Sequence, residues 1–141
     1  MRGTIATILT VTAFLTACSH TDKPGDQLTF VLRNHHLRTA REVKAKTSGL
    51  REYVVEVFFR VEPTELKAML PAASFQRDDT VTQGALHGNN SFTELSGMAI
   101  PPEMLGFKRT DLPSADGTYC YLVCPPDYSF AYVFYVDAGK S

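Results

Sequence analysis

Three groups of residues in this chain carry side chains suited to chemistry. The first is Cys120 and Cys124, in the stretch YCYLVC. In an oxidising compartment an even pair of cysteines suggests a disulfide. Their spacing argues against one. Four residues along an extended strand span roughly 13 Å at about 3.3 Å each, whereas a disulfide needs Cα atoms within about 7 Å. The favoured reading is two small buried apolar side chains on one face of a strand, with the disulfide as the disfavoured alternative. The spacing C-x3-C also departs from the C-x-x-C of thiol oxidoreductases.

The second group is His35 and His36 in RNHHLRTAR, flanked by Arg33, Arg38 and Arg41. This is the most basic patch in the chain. Its functional reading is an anion contact, to a lipid headgroup, a phosphate or an acidic partner, with histidine adding pH sensitivity. A solvated surface is the plainer reading and is preferred, since the whole chain carries a formal net charge of −1. Adjacent histidines share a metal ion poorly, and no carboxylate stands at a suitable spacing; no metal or cofactor is expected.

The third group is Asp78, Asp79, His87 and Ser91, in a polar stretch from Ser74 to Ser96. Long loops of this kind are often functional. A nucleophile and base could be drawn from Ser91 and His87, but G-x-S-x-G and its strand–turn–helix setting are missing. The closing DAGKS lacks the spacing and following helix of a phosphate loop. A hydrolase is the least favoured reading, and no catalytic residue is assigned.

A fourth feature concerns address. Met1 and Arg2 precede an uncharged apolar run from Ile5 to Leu15. That run is too short to span a bilayer, which takes about 20 residues, but has the length of a signal-peptide core. It ends Leu15-Thr16-Ala17-Cys18. Here the sequence resembles bacterial lipoproteins, whose lipobox is Leu-small-small-Cys; the resemblance covers residues 1–18. It implies cleavage before Cys18, diacylation of its sulfur and acylation of the new amine. More than one chain is needed because each buried CH₂ contributes about 0.8 kcal/mol and a single chain binds marginally. Ser19 in place of Asp implies the outer membrane. The implied partners are the membrane, through the lipid, and an envelope protein, with the domain in the periplasm. A plain signal peptide, or a core helix with a chance cysteine, is the alternative.

The expected organisation is a signal peptide over 1–17, a lipidated cysteine and flexible tether over 18–27, and one domain over 28–141. The tether reading rests on the polar SHTDKPGDQ. With no basic excess, no nucleic-acid partner is expected.

Within the domain, LTFVLRNHHL fits a short helix, with a strand as alternative. REVKAKT and EYVVEVFFRVE alternate with period two about Ser48-Gly49, which predicts a hairpin. EPTELKAMLPA predicts a helix, with Pro63 at its start, Glu65 in its first turn and Pro71 helping to stop it. Residues 74–96 read as a loop admitting an edge strand, and IPPEMLGF as a helical turn. YCYLVC and SFAYVFYVD predict a second hairpin, apolar on both faces and therefore central.

The fold class is α+β: an antiparallel sheet of about four to five strands built from β-hairpins, with one main short helix on a face. The layout resembles a loose group of small bacterial envelope proteins, over about the last hundred residues, and that resemblance brings no activity. The function that follows is a lipid-anchored, non-catalytic interaction module. The alternatives are a periplasmic immunity or inhibitor lipoprotein, and a small-ligand binder using the space between the sheet and PPEMLGF.

Overall fold

A computed structural model describes residues 23–49, 52–86, 91–112 and 117–138. The lipobox Leu15–Cys18, Ser19 and His87 lie outside the described residues.

The six strands are β1 (Arg41–Ser48), β2 (Tyr53–Arg60), β3 (Phe75–Arg77), β4 (Leu105–Arg109), β5 (Tyr119–Cys124) and β6 (Phe130–Asp137). They form one sheet in the order β1-β2-β6-β5-β4-β3, with every neighbouring pair antiparallel. The described helices are α1 (Pro24–Val31), α2 (Pro63–Ala72), α3 (Val81–Leu86) and α4 (Ser91–Ser96). The class is α+β as expected, but the sheet has six strands and both of its faces carry helices.

β2 explains the two-sided packing. Its residues Val55, Val57 and Phe59 share a cluster with Leu122 and Val133, closed by Leu28 and Val31 of α1 and Leu66, Met69 and Leu70 of α2. Its Phe58 faces the other way, with Val123, Phe130 and Tyr132, under Ala85 and Leu86 of α3 and Phe92 and Leu95 of α4. Strands buried on both faces read as continuous apolar runs, which is why β5 and β6 show no alternation.

α1 starts at Pro24, inside the stretch expected to be tether, and Gln27 in its first turns is buried. Proline suits this first position because its missing N–H would be unpaired there anyway. In α2, Pro71 lies within the last turn and the helix runs on to Ala72. The start of α2 is held from outside: the Glu62 N–H donates to Thr39 Oγ1 at 3.0 Å. In return the Glu65 carboxylate accepts the N–H groups of Arg38 and Thr39 and the Thr39 hydroxyl.

Two expectations are corrected. Residues 74–96 hold the edge strand that the loop reading admitted, β3, but their described part also forms the helices α3 and α4. IPPEMLGF is no helical turn; Leu105 begins β4, which lies between β3 and β5. The strand is required because Leu105 and Phe107 must alternate onto the first core, while Gly106 on the other face lets α3 approach. A Cβ at Gly106 would meet the Asp78 carbonyl oxygen at 2.6 Å and Val81 Cγ2 at 2.9 Å, closer than real contacts allow.

Candidate functional site

Among the described residues, five polar side chains converge under α4. Lys46 and Glu56 are cross-strand partners on β1 and β2. Tyr132, two pairs along on β6 opposite Phe58, donates its hydroxyl to Glu56 Oε2 at 2.6 Å. Above them, Lys46 Nζ donates to Glu94 Oε1 at 2.9 Å and to Ser91 Oγ at 3.5 Å. Glu56 and Ser91 are buried, and Tyr132 is wholly so.

The electrostatics of this group are those of a fastener. Burial, and then the bond to Glu56, push the Tyr132 phenol far above its usual range. The bond and charge of Glu94 raise Lys46 and hold it cationic, which makes it a poor general base. Ser91 therefore sits beside an ammonium donor. Among the described residues no buried side-chain nitrogen or oxygen lacks a hydrogen-bond partner. The cluster joins β1, β2 and β6 to α4.

Asp78 and Asp79 also have structural tasks. Asp79 takes a two-pronged bond from Arg77 at 2.7 and 2.9 Å and a third from the Gly106 N–H at 2.9 Å. The Arg77 bond and the Gly106 amide hold its carboxyl down at about 2. Asp78 accepts the Thr80 N–H and hydroxyl at 3.1 and 2.6 Å. Together they fix the entry into α3 against β4.

The basic patch divides. Arg33 turns away to Asp111, 2.9 Å from Nε to Oδ2. His35 is half-buried, while His36, Arg38 and Arg41 are exposed on the connector between α1 and β1. Arg41 Nη1 reaches back to the Thr39 carbonyl oxygen at 3.5 Å.

Cys120 and Cys124 are free thiols on one face of β5, both fully buried in the first core. Burial pushes each thiol up to about 12, so neither is nucleophilic at neutral pH. Among the described residues no cluster of three or more His, Cys, Asp or Glu is placed to hold a metal ion.

Two surface features were not assigned from sequence at residue level. Phe30 of α1 and Tyr53 of β2 are 46% and 40% exposed, with ring centroids 6.2 Å apart. Phe30 also packs edge-on against Tyr135 of the final hairpin at 5.1 Å. On the opposite side of the sheet, an open groove of about 390 Å³ is lined by Thr82, Leu86, Ile100, Pro101, Pro102 and Met104. The groove lies beside PPEMLGF, but its other wall is α3 and not the sheet, and the segment is not helical. The aromatic cluster escaped notice because it needs α1, β2 and β6 brought together; the exposed side of a helix residue such as Phe30 leaves no local signal. Comparison with family models, curated proteins and solved structures gave no match.

Proposed function

We propose that this chain is a lipid-anchored cell-envelope protein whose domain is a non-catalytic interaction module, held at the outer membrane and facing the periplasm. The observation that carries the reading is the Phe30–Tyr53 pair. Two large aromatic rings stand exposed beside a third, Tyr135, while among the described residues the other large apolar side chains, Ile100 excepted, are mostly covered. Aromatic side chains supply much of the energy at the centres of protein interfaces. The anchor rests on the lipobox resemblance at Cys18. An immunity or inhibitor protein is one form of this function, in which the partner is a toxin. The test is recovery of envelope proteins on the processed lipoprotein, compared with a Phe30→Ser/Tyr53→Ser variant. A protein retained by the wild type and lost by the variant supports the module; recovery equal to that of a control carrying only the same lipid overturns it. For the anchor, fatty-acid labelling should vanish in Cys18→Ala.

The groove favours a second reading, a binder of a small apolar ligand. Five of its six lining residues carry apolar side chains, and its volume is at the lower end of ligand sites. Thr82→Trp would fill the groove, so displacement of a hydrophobic dye by this variant separates the two readings.

A further inference from the structure

We propose that β1 accepts an extended segment of another protein as an added strand, one that alternates apolar and acidic residues. The site does not include the Phe30–Tyr53 pair and gives the interaction module a second contact surface. β1 is the first strand of the sheet, and β2 is its one neighbour. Among the described residues, the main chain from Lys44 to Ser48 is hydrogen-bonded only across to β2. Its other edge is a row of unpaired N–H and C=O groups, the template on which added strands form.

The strand is held on both faces and open along this edge. Val43 and Ala45 lie against the first core, where α1 packs on β1. Thr47, opposite Val55, shares their face. Lys44 and Lys46 point the other way, and Lys46 is tied to Glu94 and Ser91 of α4. An edge fixed in this way has little freedom to lose on pairing. The register is unbroken from Lys44 to Ser48 and shifts between Arg41 and Lys44, where Glu42 has a φ of +52°. The usable edge therefore runs from Lys44 to Ser48.

The lysines select the occupant by register, not by net charge. Lysine on an edge strand guards against pairing between copies. Two copies paired over Lys44–Ser48 are centred on Lys46, which sets that lysine against its own copy; one residue back, Lys44 meets Lys46. Like charges directly opposite are destabilising, while opposite charges there are favourable. Among the described residues Lys44 is in no ion pair. A carboxylate across from it turns the guard into an attraction. The alternate apolar side chains of the added strand then extend the face of Val43 and Ala45.

The test uses the full protein, recovered from cells in mild detergent, and fluorescein-labelled Glu-Val-Glu-Val-Glu-Val-Glu, with the corresponding Lys-Val peptide as control. Anisotropy reads binding, and hydrogen exchange reads its place. The Glu peptide should bind and slow exchange in β1; the Lys peptide should bind on the order of tenfold more weakly. Lys44→Glu should reverse that order and Lys44→Gln should narrow it; Lys44 is exposed, so both variants should fold. Phe30→Ser/Tyr53→Ser should bind the Glu peptide as the wild type does. Absence of binding by either peptide, or an unchanged order of peptides in Lys44→Glu, overturns the proposal and leaves the aromatic-pair reading standing. Binding that leaves exchange in β1 unchanged overturns it as well. Binding lost in Phe30→Ser/Tyr53→Ser would place the peptide on the aromatic pair and overturn the edge site.

Discussion

The Arg109 guanidinium donates from Nη1 to the carbonyl oxygen of Val31 at 2.9 Å, while Nε and Nη2 grip both oxygens of Asp111 at 3.0 and 3.2 Å. Val31 ends α1, and the last carbonyls of a helix have no partner within it. β4 thus supplies a side-chain cap for the Val31 carbonyl, beside the turn amides that take the carbonyls of Leu28, Thr29 and Phe30. Burial disfavours the guanidinium's charge, but the bonds and charge of Asp111 outweigh it and raise its pKa. Arg109→Met should therefore cost about 2–4 kcal/mol, because it takes the guanidinium from a buried carbonyl and leaves Asp111 with the surface cation Arg33 alone. Arg33→Met removes only a surface partner of Asp111 and should cost below about 1 kcal/mol. Urea unfolding of both variants checks the contrast; equal costs would mean that Arg109 is not the fastening group.

Tyr132 and Glu56 make the second fastening. Tyr132→Phe removes the hydroxyl that donates to Glu56 Oε2 at 2.6 Å and leaves that buried acid with one partner fewer. A loss of about 1–3 kcal/mol is expected. In Glu56→Gln the phenol keeps an acceptor and no charge is buried, so the loss should be smaller. The double variant should fall well short of the sum, since the two residues act on one bond. Additive losses in denaturant titrations would place their contributions elsewhere.

These two fastenings show where sequence stops being informative. β2 was legible because Val55, Val57 and Phe59 recur at period two, a property of neighbouring residues. The cross-strand pair Lys46–Glu56 follows from the hairpin about Gly49. Tyr132 does not, because its approach to Glu56 depends on the register of β6 on β2, across 76 positions of chain. β4 was missed because Pro101-Pro102 suggested a turn and Gly106 broke the apolar rhythm. α3 and α4 have six residues each, too few for a helical period to stand out. Arg109, a buried cation on a short strand, had no local signature at all.

Stability should fall in acid, and the responsible groups can be named. Asp79 titrates at about 2 instead of the usual 3.8, chiefly through Arg77 and then the Gly106 amide. For Asp111, burial pushes upward, but the bond from Arg109 prevails and the net shift is down. A carboxyl with a depressed folded pKa binds fewer protons folded than unfolded. Its stabilisation is therefore complete above the ordinary carboxylate range and lost as pH falls through the folded value. The urea midpoint should hold steady above about pH 5 and decline towards pH 2. Asp79→Asn and Asp111→Asn should each flatten that decline; an unchanged slope in both would exclude these carboxylates as its source.

The cysteines give a count that reads both the core and the anchor. Cys120 and Cys124 are fully buried and unpaired, and their thiols sit at about 12. A thiol reagent at mildly alkaline pH should leave both untouched in the folded protein, since only the thiolate reacts and access is closed. In guanidinium both should react at once. The chain has three cysteines, so the number released on unfolding depends on Cys18. Protein recovered from membranes should release two, with Cys18 blocked by its lipid, and Cys18→Ala the same two. Three would show that Cys18 is unmodified, and none without reductant would show that Cys120 and Cys124 had joined against the geometry of an extended β5.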